Sequence, residues 1–455
     1  MTPWGQFPDP DTFYHAHLSA LMLDHGPLFA FPWLDLTSFG QQFADHHYLF
    51  HLILGPAIWA FGEQWGTQLM APLLALLTIS ALWTVLRVLN PSETWRRTSW
   101  VFVGLTLLAP DFLMRLLLGK ASPLAIGYAI VTVGGMLHRK SILLLMTGML
   151  FALSHGGWSL SILIAGSMLV ADILASKTMA EASWIKALHN APWKPLGALI
   201  LGTGIGILLH PNSATLLQFL WVQLVEIGIL TKSGTLTLGQ EWAAASPSMI
   251  LTNLTPLVVA GLTALLGILF AHRADARPTL VGMYQRALVL LFPVGLLLVL
   301  TLKSQRFIEF LVPLFAIWIY QIAQLVDWTK YRLWLREQWS RCKRTPRHTL
   351  TVAGGLIVLL LPLHHGWLAW KGLHTGQRPF DLYAPVMQTI SERANPGDRV
   401  FHSSWDDFPV LWALEDRVKY LSGLDPTFLY HADPELSNQV MQLTLDSDPP
   451  DAWGV

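Results

Sequence analysis

Two carboxylates and two histidines lie within nine residues near the start of the chain, in the segment DPDTFYHAH from Asp9 to His17. Carboxylate oxygens are the ligands that Mg²⁺ and Mn²⁺ prefer, and these ions can neutralise a phosphate leaving group as Lewis acids. Asp11 is therefore the first candidate for a catalytic and metal-ligating residue, and Asp9 could join it as a second ligand. A structural alternative stays open, because Asp and Thr could simply cap a helix that begins near Phe13.

The histidines of this region have a structural interpretation beside a metal-binding one. His15 and His17 are two residues apart, so their side chains diverge on a helix. His46 and His47 follow Asp45 and meet the same difficulty, because adjacent residues of a helix point apart. Histidines at the membrane interface, each with a hydrated polar edge, are the alternative to metal ligands at both places.

A guanidinium, that of Arg306, lies at the outer end of a predicted membrane span in the run QRFIEFLVP. A guanidinium can bind phosphate through two parallel hydrogen bonds, which makes Arg306 a candidate phosphate-binding residue. Snorkelling of the side chain to the membrane interface is an alternative. The neighbouring Lys303 and Glu309 also make a structural ion pair conceivable.

The composition indicates which kind of protein carries these side chains. Of the 455 residues, 53% are hydrophobic and 13% are charged, and the mean hydropathy of +0.45 is too high for a water-soluble chain of this length. The formal net charge of zero gives no indication of a nucleic-acid partner. The single cysteine, Cys342, excludes an internal disulfide framework. The sequence therefore predicts an all-α polytopic membrane bundle, with membrane lipids as partners.

Apolar runs give the positions of the spans, since a spanning helix needs about 20 mostly apolar residues. Ten to eleven spans are expected. Residues 46–61 are apolar but carry histidines, and they fit a helix that lies at the interface better than a span. The candidate spans lie near 67–89, 99–117, 123–137, 141–155, 158–175, 195–209, 249–270, 282–302, 306–326 and 350–370.

Basic residues give the orientation, because they remain on the cytoplasmic side of short loops. The strongest block has seven Lys/Arg and one Glu between Lys330 and Arg347. When the spans alternate, the other basic loops fall on the same side. The predicted organisation has three parts. Residues 1–66 form a first external loop with amphipathic helices, and residues 67–370 form a transmembrane domain with an external loop at 210–248 and a basic cytoplasmic loop at 327–349. Residues 371–455 form part of an extracytoplasmic soluble α/β domain.

The C-terminal segment changes character and becomes polar. Patterns typical of strands occur at 399–401 and 418–421, and a helix is predicted at 408–413. This order indicates the start of an α/β domain whose sheet is unfinished at Val455. We therefore expect a sequence truncated at both ends, with a hydrophobic span missing before Met1.

Several motifs resemble the catalytic subunit of oligosaccharyltransferases, which are type-C (GT-C) membrane glycosyltransferases. The run from Asp11 to His17 is similar to the first external-loop motif of that family, with His17 at the position of the family arginine. The further matches, in chain order, are Pro110, Arg115 and Gly119, then Ser154–Trp158, then Arg306 with Pro313, and then Ser404–Phe408.

The resemblance implies roles for individual residues. It implies that Arg306 binds the donor phosphate and that Glu241, in the loop TLTLGQEW, is catalytic and contacts the acceptor. It also implies that Trp405 and Asp406 bind the acceptor. A solvated loop glutamate and a tryptophan buried at a domain seam are the structural alternatives for Glu241 and Trp405.

The departures from the family pattern concern the metal. A divalent ion, Mg²⁺ or Mn²⁺, would have Asp11 and Asp9 as ligands. The second-loop carboxylates of the family are replaced here by Ser122 and Leu124, and Lys120 lies close by. We therefore expect the Lys120 ammonium to supply positive charge near the donor phosphate and to reduce the dependence on a divalent metal.

The function implied is a membrane glycosyltransferase that moves a sugar or oligosaccharide from a polyprenyl-(pyro)phosphate donor to a protein or envelope-glycan acceptor. Its active site would lie on the extracytoplasmic side of a membrane, expected to be the bacterial inner membrane. Three alternatives stay open: a transferase that uses a polyprenyl-monophosphate sugar to modify protein or envelope lipid, a transporter of lipid-linked glycans, and a non-catalytic scaffold.

Overall fold

Helices dominate the part of the chain that the computed structural model describes, which is 6–179, 182–222, 225, 240–271, 277–342, 344–375, 378–379 and 383–445. Within this part, six helices are long and apolar enough to cross a membrane, and up to eight spans result if each of two bent helix pairs counts as one. Two further apolar helices are shorter. The predicted polytopic helical bundle is confirmed.

Each candidate span from the sequence falls on a helix. Fewer helices meet the length criterion than the ten to eleven spans expected, because 123–137 and 141–155 form short helices, whereas 99–117 and 195–209 belong to the bent pairs. The helices of the bundle are Tyr48–Leu89, Glu93–Leu107, Pro110–Leu116, Ser122–Leu137, Ser141–Ser154, Ser159–Thr178, Trp184–Asn190, Trp193–Leu209, Ser213–Trp221, Pro247–Phe270, Arg277–Lys303, Ile308–Ala323, Trp328–Arg341 and Arg344–Thr375.

The interfacial helix predicted at 46–61 continues into the first span through a kink. Gly62 has a φ of 78° and a ψ of 166°, inside the helix Tyr48–Leu89. Glycine adopts this conformation at no steric cost, so the chain can change direction there. Trp59 and Phe61, just before the kink, are 82% and 58% exposed, and exposed aromatic side chains are typical of the membrane interface.

A bend and a turn shape the loop that carries Lys120. The helices Glu93–Leu107 and Pro110–Leu116 meet at 92°. The chain then turns at Gly119, where φ is +70° and an added Cβ would lie 3.0 Å from the Thr12 side chain. The Thr12 hydroxyl donates to the carbonyl oxygen of Leu118 at 2.6 Å. The loop is therefore held against the N-terminal helix.

Short elements outside the bundle come from both ends of the chain. The two strands and the helix predicted for the C-terminal segment are present. The helices are Asp11–His25 and Ser38–Gln41 before the bundle, and Ala384–Arg393, Phe408–Leu414, Pro426–Ala432 and Pro434–Leu445 after it. Strands Arg399–Val400 and Lys419–Tyr420 pair in parallel, and strands Gln6–Phe7 and Arg378–Pro379 pair antiparallel.

The N-terminal and C-terminal segments share one aromatic core. The Trp412 ring is fully buried, and its centroid lies 4.9 Å from that of Phe31, 5.2 Å from that of Trp33 and 5.6 Å from that of Tyr14. The indole of Trp33 donates to the carbonyl oxygen of Asp416. This packing holds the C-terminal segment over the N-terminal helix, at one end of the bundle.

Candidate active site

One pocket of about 790 Å³ collects the charged residues that the sequence singled out. Asp11, Lys120, Glu241 and Arg306 all line it. Asp11 and Arg306, which lie far apart in the sequence, are thus on the same side of the bundle. The pocket also has Arg115, His15, His46, His47, His155 and Asp425 in its wall.

The Lys120 ammonium lies between the two carboxylates of the first motif. Its Nζ is 2.7 Å from Asp9 Oδ1 and 2.8 Å from Asp11 Oδ2. Burial lowers the pKa of Lys120, but the charges of Asp11 and Asp9 outweigh this effect and hold the pKa above its usual range. Lys120 is therefore a fixed positive charge in the pocket.

The capping alternative for Asp9 and Asp11 is partly realised. The N-terminal helix begins at Asp11, two residues before the predicted start. The backbone N–H of Asp11 donates to Asp9 Oδ1 at 3.0 Å. Asp9 therefore combines a local turn with its ion pair to Lys120.

Glu241 lies between two arginines. Its Oε1 is 3.2 Å from Arg306 Nη1, and its Oε2 is 3.1 Å from Arg115 Nη1. Burial opposes ionisation of Glu241, but the two guanidinium groups hold its pKa below the usual range. Within the described part of the chain, the ion partner of Arg306 is thus Glu241. Buried Glu309, a neighbour considered for Arg306 from the sequence, lies 3.8 Å from Arg115 Nε.

The loop before Glu241 falls mostly outside the described residues, including the Thr-Leu-Thr-Leu run of its motif. The short helix Gln240–Trp242 is held by Ser304, whose hydroxyl donates to the carbonyl oxygen of Glu241 at 2.9 Å. The Trp242 ring lies 5.4 Å from the Arg306 guanidinium. These contacts fix the position of the carboxylate between the two arginines.

These residues do not fit a divalent ion in their present arrangement. The space between Asp9 and Asp11 is bridged by an ammonium, whose positive charge would repel a cation. Ser122, at one of the family's carboxylate positions, lines the same pocket without supplying a carboxylate. In the part of the chain that the structure describes, no group of three or more His, Cys, Asp or Glu side chains could hold a metal ion.

A hydrogen-bonded chain of side chains runs from the protein interior to the pocket, and the sequence did not reveal it. His15 Nδ1 is 2.8 Å from His51 Nε2, and His51 Nδ1 is 2.7 Å from Asp45 Oδ2. His15 lies one helical turn after Asp11, which places both on one helix face. The spacing of four residues between Asp11 and His15 was the available signal in the sequence that both side chains reach one site. The partner of His15, His51, is 36 residues away and could not be found in this way.

Burial keeps the pocket histidines neutral. It lowers the pKa of His15, His47 and His155 well below the usual value. It also lowers the pKa of His46, to about 3. Among the residues that the structure describes, the buried Nδ1 atoms of His46 and His47 have no hydrogen-bond partner. The histidine side of the pocket is therefore uncharged, in contrast to the ion pairs opposite.

Asp425 enters the pocket from the C-terminal segment, and it was not among the predicted residues. It caps the helix Pro426–Ala432 by accepting from the backbone N–H of Thr427 at 2.8 Å. Burial raises the pKa of its carboxyl to about 6. The only signal for it in the sequence is an Asp-Pro dipeptide, which is typical of the start of a helix.

Trp405 and Asp406 do not line the pocket in the described residues. Trp405 lines a second cavity of about 730 Å³ with His402, Ser404 and Pro426. Pro426 directly follows Asp425, so this cavity adjoins the pocket through the start of one helix. The acceptor-binding role of Trp405 and Asp406 stays a prediction.

An apolar groove of about 1,100 Å³ lies beside the pocket. Its lining includes Thr12 and Gly119, the sequence neighbours of Asp11 and Lys120. Apolar side chains from the N-terminal segment, the first span, the second loop and the helix Arg344–Thr375 complete it, among them Phe7, Leu69, Pro72, Leu117 and Leu373. Charged and apolar sites thus meet at the N-terminal helix.

Comparison with solved structures gives the fold. The archaeal oligosaccharyltransferase AglB from Archaeoglobus fulgidus, in complex with an inhibitory peptide and a dolichol-phosphate, matches 93% of the chain with a TM-score of 0.60 and 12% identity. A crystal structure of the Archaeoglobus fulgidus oligosaccharyltransferase with Zn and sulfate matches 93% of the chain with a TM-score of 0.58 and 12% identity. The chain has the oligosaccharyltransferase-like GT-C fold. No protein-family model matches the sequence, and a search of curated proteins returns no match.

The match has a defined extent. The chain covers 61% and 59% of the lengths of these two oligosaccharyltransferase structures. At 12% identity the likeness is one of fold. It confirms the resemblance that the order of the motifs predicted.

Proposed function

We propose that this chain is a membrane glycosyltransferase that moves a sugar or oligosaccharide from a polyprenyl-(pyro)phosphate donor to an acceptor on the extracytoplasmic side, in the inner membrane of a bacterium. One observation carries the proposal: a pocket with three basic side chains, Arg115, Lys120 and Arg306, adjoins an apolar groove. A polyprenyl phosphate has the same two parts, an anionic head and an apolar tail. The dolichol-phosphate in the AglB structure belongs to this class of lipid.

The donor phosphate would bind at Arg306. Its side chain is 27% exposed, and its guanidinium is paired with Glu241 at 3.2 Å. A phosphate is a bidentate partner for a guanidinium, so it can replace one carboxylate oxygen there. Glu241 would then keep Arg115 and turn its freed oxygen towards the acceptor, where a carboxylate can orient a reacting hydroxyl or amide.

Lys120 would supply the positive charge that the lost second-loop carboxylates can no longer provide through a metal. Its ammonium is 12% exposed and held by Asp9 and Asp11. A buried positive charge stabilises the negative charge that develops on a leaving phosphate without any rearrangement. Asp11 and Asp9 therefore act as positioning residues for Lys120, and transfer proceeds with little dependence on a divalent ion.

The acceptor would approach from the C-terminal segment. Asp425 and Leu424 border the donor pocket, and the cavity lined by Trp405 lies on the other side of the same helix start. An aromatic wall and a nearby carboxylate at Asp406 suit a polar acceptor such as a peptide or an envelope glycan. A peptide is bound in the AglB structure.

The test uses the full chain in lipid nanodiscs with polyprenyl-pyrophosphate-linked and polyprenyl-monophosphate-linked radiolabelled sugars. We expect release of the free lipid phosphate and transfer of label to an added acceptor. Arg306→Gln should weaken donor binding by roughly 10- to 100-fold, because a hydrogen bond to a charged group contributes about 1.5–3 kcal/mol. Filter binding of the labelled donor measures this directly.

Arg336→Gln is the matched control, because Arg336 is exposed on the helix Trp328–Arg341, away from the pocket. It should leave donor binding unchanged. A wild-type protein that binds neither donor overturns the proposal. A protein that binds donor without ever releasing lipid phosphate or transferring sugar is a transporter or scaffold.

A further inference from the structure

The chain Asp45, His51 and His15 has the geometry of a proton relay, and all three side chains are almost fully buried. The two hydrogen bonds that link them measure 2.7 Å between Asp45 and His51 and 2.8 Å between His51 and His15. We call these three residues the His15 relay. It lies outside the ion pairs that hold Lys120 and Glu241.

The inner end of the His15 relay is an ionised carboxylate. Burial opposes the charge of Asp45, but His51 and neighbouring donors hold its pKa below the usual range. Asp45 Oδ1 also accepts from the backbone N–H of His47 at 3.0 Å, and His210 Nε2 is 2.8 Å from the Asp45 carbonyl oxygen. Asp45 is therefore fixed in position and can only accept hydrogen bonds.

The carboxylate determines the tautomer of each imidazole in turn. A neutral His51 ring that donates from Nδ1 to Asp45 has Nε2 as its acceptor nitrogen. His15 must then carry its proton on Nδ1 to donate to His51. This leaves the lone pair of a neutral His15 ring on Nε2.

The free nitrogen of His15 belongs to the pocket. The His15 ring lines the pocket with Asp11 and Lys120. Within the described residues, its Nε2 has no hydrogen-bond partner, whereas Nδ1 is taken by His51. Burial lowers the pKa of His15 well below the usual value, so the ring is neutral at physiological pH. The unprotonated nitrogen thus belongs to a ring that lines the pocket where donor and acceptor would meet.

We propose that His15 is the general base of the transfer, that His51 and Asp45 position it and stabilise its protonated form, and that the acceptor group is a hydroxyl. The proposal rests on the glycosyltransferase function proposed above. His15 Nε2 would take the hydroxyl proton while the oxygen attacks the sugar.

The acceptor class follows from the proton acceptors present. Asp9 and Asp11 are held by Lys120, and Glu241 keeps its pair with Arg115 when the donor phosphate occupies Arg306, whereas His15 Nε2 offers a lone pair. A hydroxyl oxygen has a free lone pair and needs a single base during attack, as in hydrolases with a carboxylate-oriented histidine. An amide nitrogen has its lone pair delocalised into the carbonyl group, and one imidazole does not release it.

The step balances in protons and electrons. The O–H bond of the acceptor breaks and its proton passes to His15 Nε2, while the oxygen electron pair forms the new bond to the anomeric carbon. The bond from this carbon to the phosphate oxygen breaks, and its electron pair leaves with the phosphate. The charge on His15 is shared with His51 through their hydrogen bond and stabilised by Asp45. The proton finally passes to the phosphate or to water.

The test compares His15→Ala with wild type in nanodiscs, with hydroxyl-bearing and amide-bearing acceptors. We expect transfer to hydroxyl acceptors in wild type. In His15→Ala we expect a fall in kcat of about 10²–10⁴-fold, the range for loss of a general base, with unchanged donor binding. Free imidazole should restore the rate in His15→Ala, because it can enter the space left by the ring.

Two relay variants and one control sharpen this test. His15→Asn keeps a donor to His51 but has no basic nitrogen, so it should fold like wild type and lose kcat. Asp45→Asn should lower kcat and leave donor binding intact, because it removes the acceptor that fixes the tautomer. His25→Ala, at the exposed end of the same helix, should change neither quantity.

The outcomes separate the two proposals. If wild type does not use the lipid-linked donor, the proposed function is wrong. If wild type is active and His15→Ala keeps its rate, or loses rate and donor binding together without a response to imidazole, the His15 relay is wrong. Transfer to the amide acceptor alone overturns the acceptor class.

Discussion

At the scale of single residues, Lys120 marks the largest departure from a metal-centred site. Its Nζ lies within 2.8 Å of carboxylates on both sides, Asp9 and Asp11. An ammonium needs no coordination sphere of six oxygens, which is what Mg²⁺ demands. Lys120, which follows the turn at Gly119, can therefore place a positive charge in the pocket with only two carboxylates to hold it. A metal ion would need a larger set of ligands.

Replacement of Lys120 tests this exchange of a metal for an ammonium. Wild type should keep its transfer rate in EDTA, because the positive charge is covalently attached. Lys120→Ala should lose roughly tenfold or more, the cost of one hydrogen bond to a charged group, and Mn²⁺ should restore part of the rate because Asp9 and Asp11 become free. Initial rates with and without EDTA and Mn²⁺ measure both effects.

Lys371→Ala is the control for this experiment, because Lys371 is exposed beside Trp367 on the helix Arg344–Thr375. It should behave as wild type in all three conditions. Wild-type activity that disappears with EDTA, together with an unaffected Lys120→Ala variant, would contradict the exchange.

At the scale of elements, the helix Pro426–Ala432 joins the charged pocket to the cavity that Trp405 lines. Its N-cap Asp425 is partly buried, and this burial raises the pKa of the carboxyl to about 6, while Glu241 and Asp11 add repulsion. The folded protein therefore binds this proton more tightly than the unfolded chain, whose carboxyl titrates near 3.9. Its stability should decrease as the pH rises between these two values.

Asp425→Asn separates the cap from the charge. Asn is as good an N-cap as Asp, so the variant should unfold at the wild-type temperature at pH 4 and at a higher temperature than wild type at pH 7.5. Asp425→Ala should lose about 1 kcal/mol of helix stability at both pH values, because the cap itself is gone. Thermal unfolding in detergent at the two pH values measures this.

Asp433→Asn provides the comparison, since Asp433 caps the next helix, Pro434–Leu445, from an exposed position. In this variant, the difference between the unfolding temperatures at pH 4 and pH 7.5 should be the same as in wild type. If Asp425→Asn also leaves that difference unchanged, the burial of Asp425 has no energetic effect.

At the scale of the whole molecule, the pocket depends on the joint between the two ends of the chain. Trp412 packs against Tyr14, Phe31 and Trp33, and Asp35 binds both Arg399 and Lys419 at 3.0 Å and 2.8 Å. The exposed ion pairs add little to stability. Burial of the aromatic rings therefore contributes most of the free energy that stabilises this joint.

Trp412→Ala should therefore release the C-terminal segment. Truncation of a buried tryptophan costs about 3–5 kcal/mol, and the lost packing is confined to this joint. We expect protease cleavage between the bundle and the C-terminal helices to become much faster, while the helical signal of the bundle stays unchanged. Trp59→Ala, at an 82% exposed ring, should show wild-type cleavage, and equal cleavage of both variants would mean that the joint does not depend on Trp412.

The same joint shows what the sequence could predict. Hydrophobic runs placed the helices of the bundle, and motif order picked out Asp11, Lys120, Glu241 and Arg306, which meet in one pocket. The partners of these residues could not be predicted, because an ion pair such as Arg115 with Glu241 depends on tertiary packing over 126 positions of chain. For the same reason, His51 was an unremarkable residue of an apolar segment until His15 was placed against it.

The antiparallel pairing of Gln6–Phe7 with Arg378–Pro379 joins the start of the described chain to the segment that follows the last helix of the bundle. Residues from both the N-terminal and the C-terminal segment line the pocket, among them Asp11 and Asp425. During biosynthesis the site can therefore be enclosed only after the chain has been synthesised as far as Asp425. A nascent chain that ends before Asp425 would leave the pocket open on one side, so any ligand that needs both walls could bind only after these helices have been made.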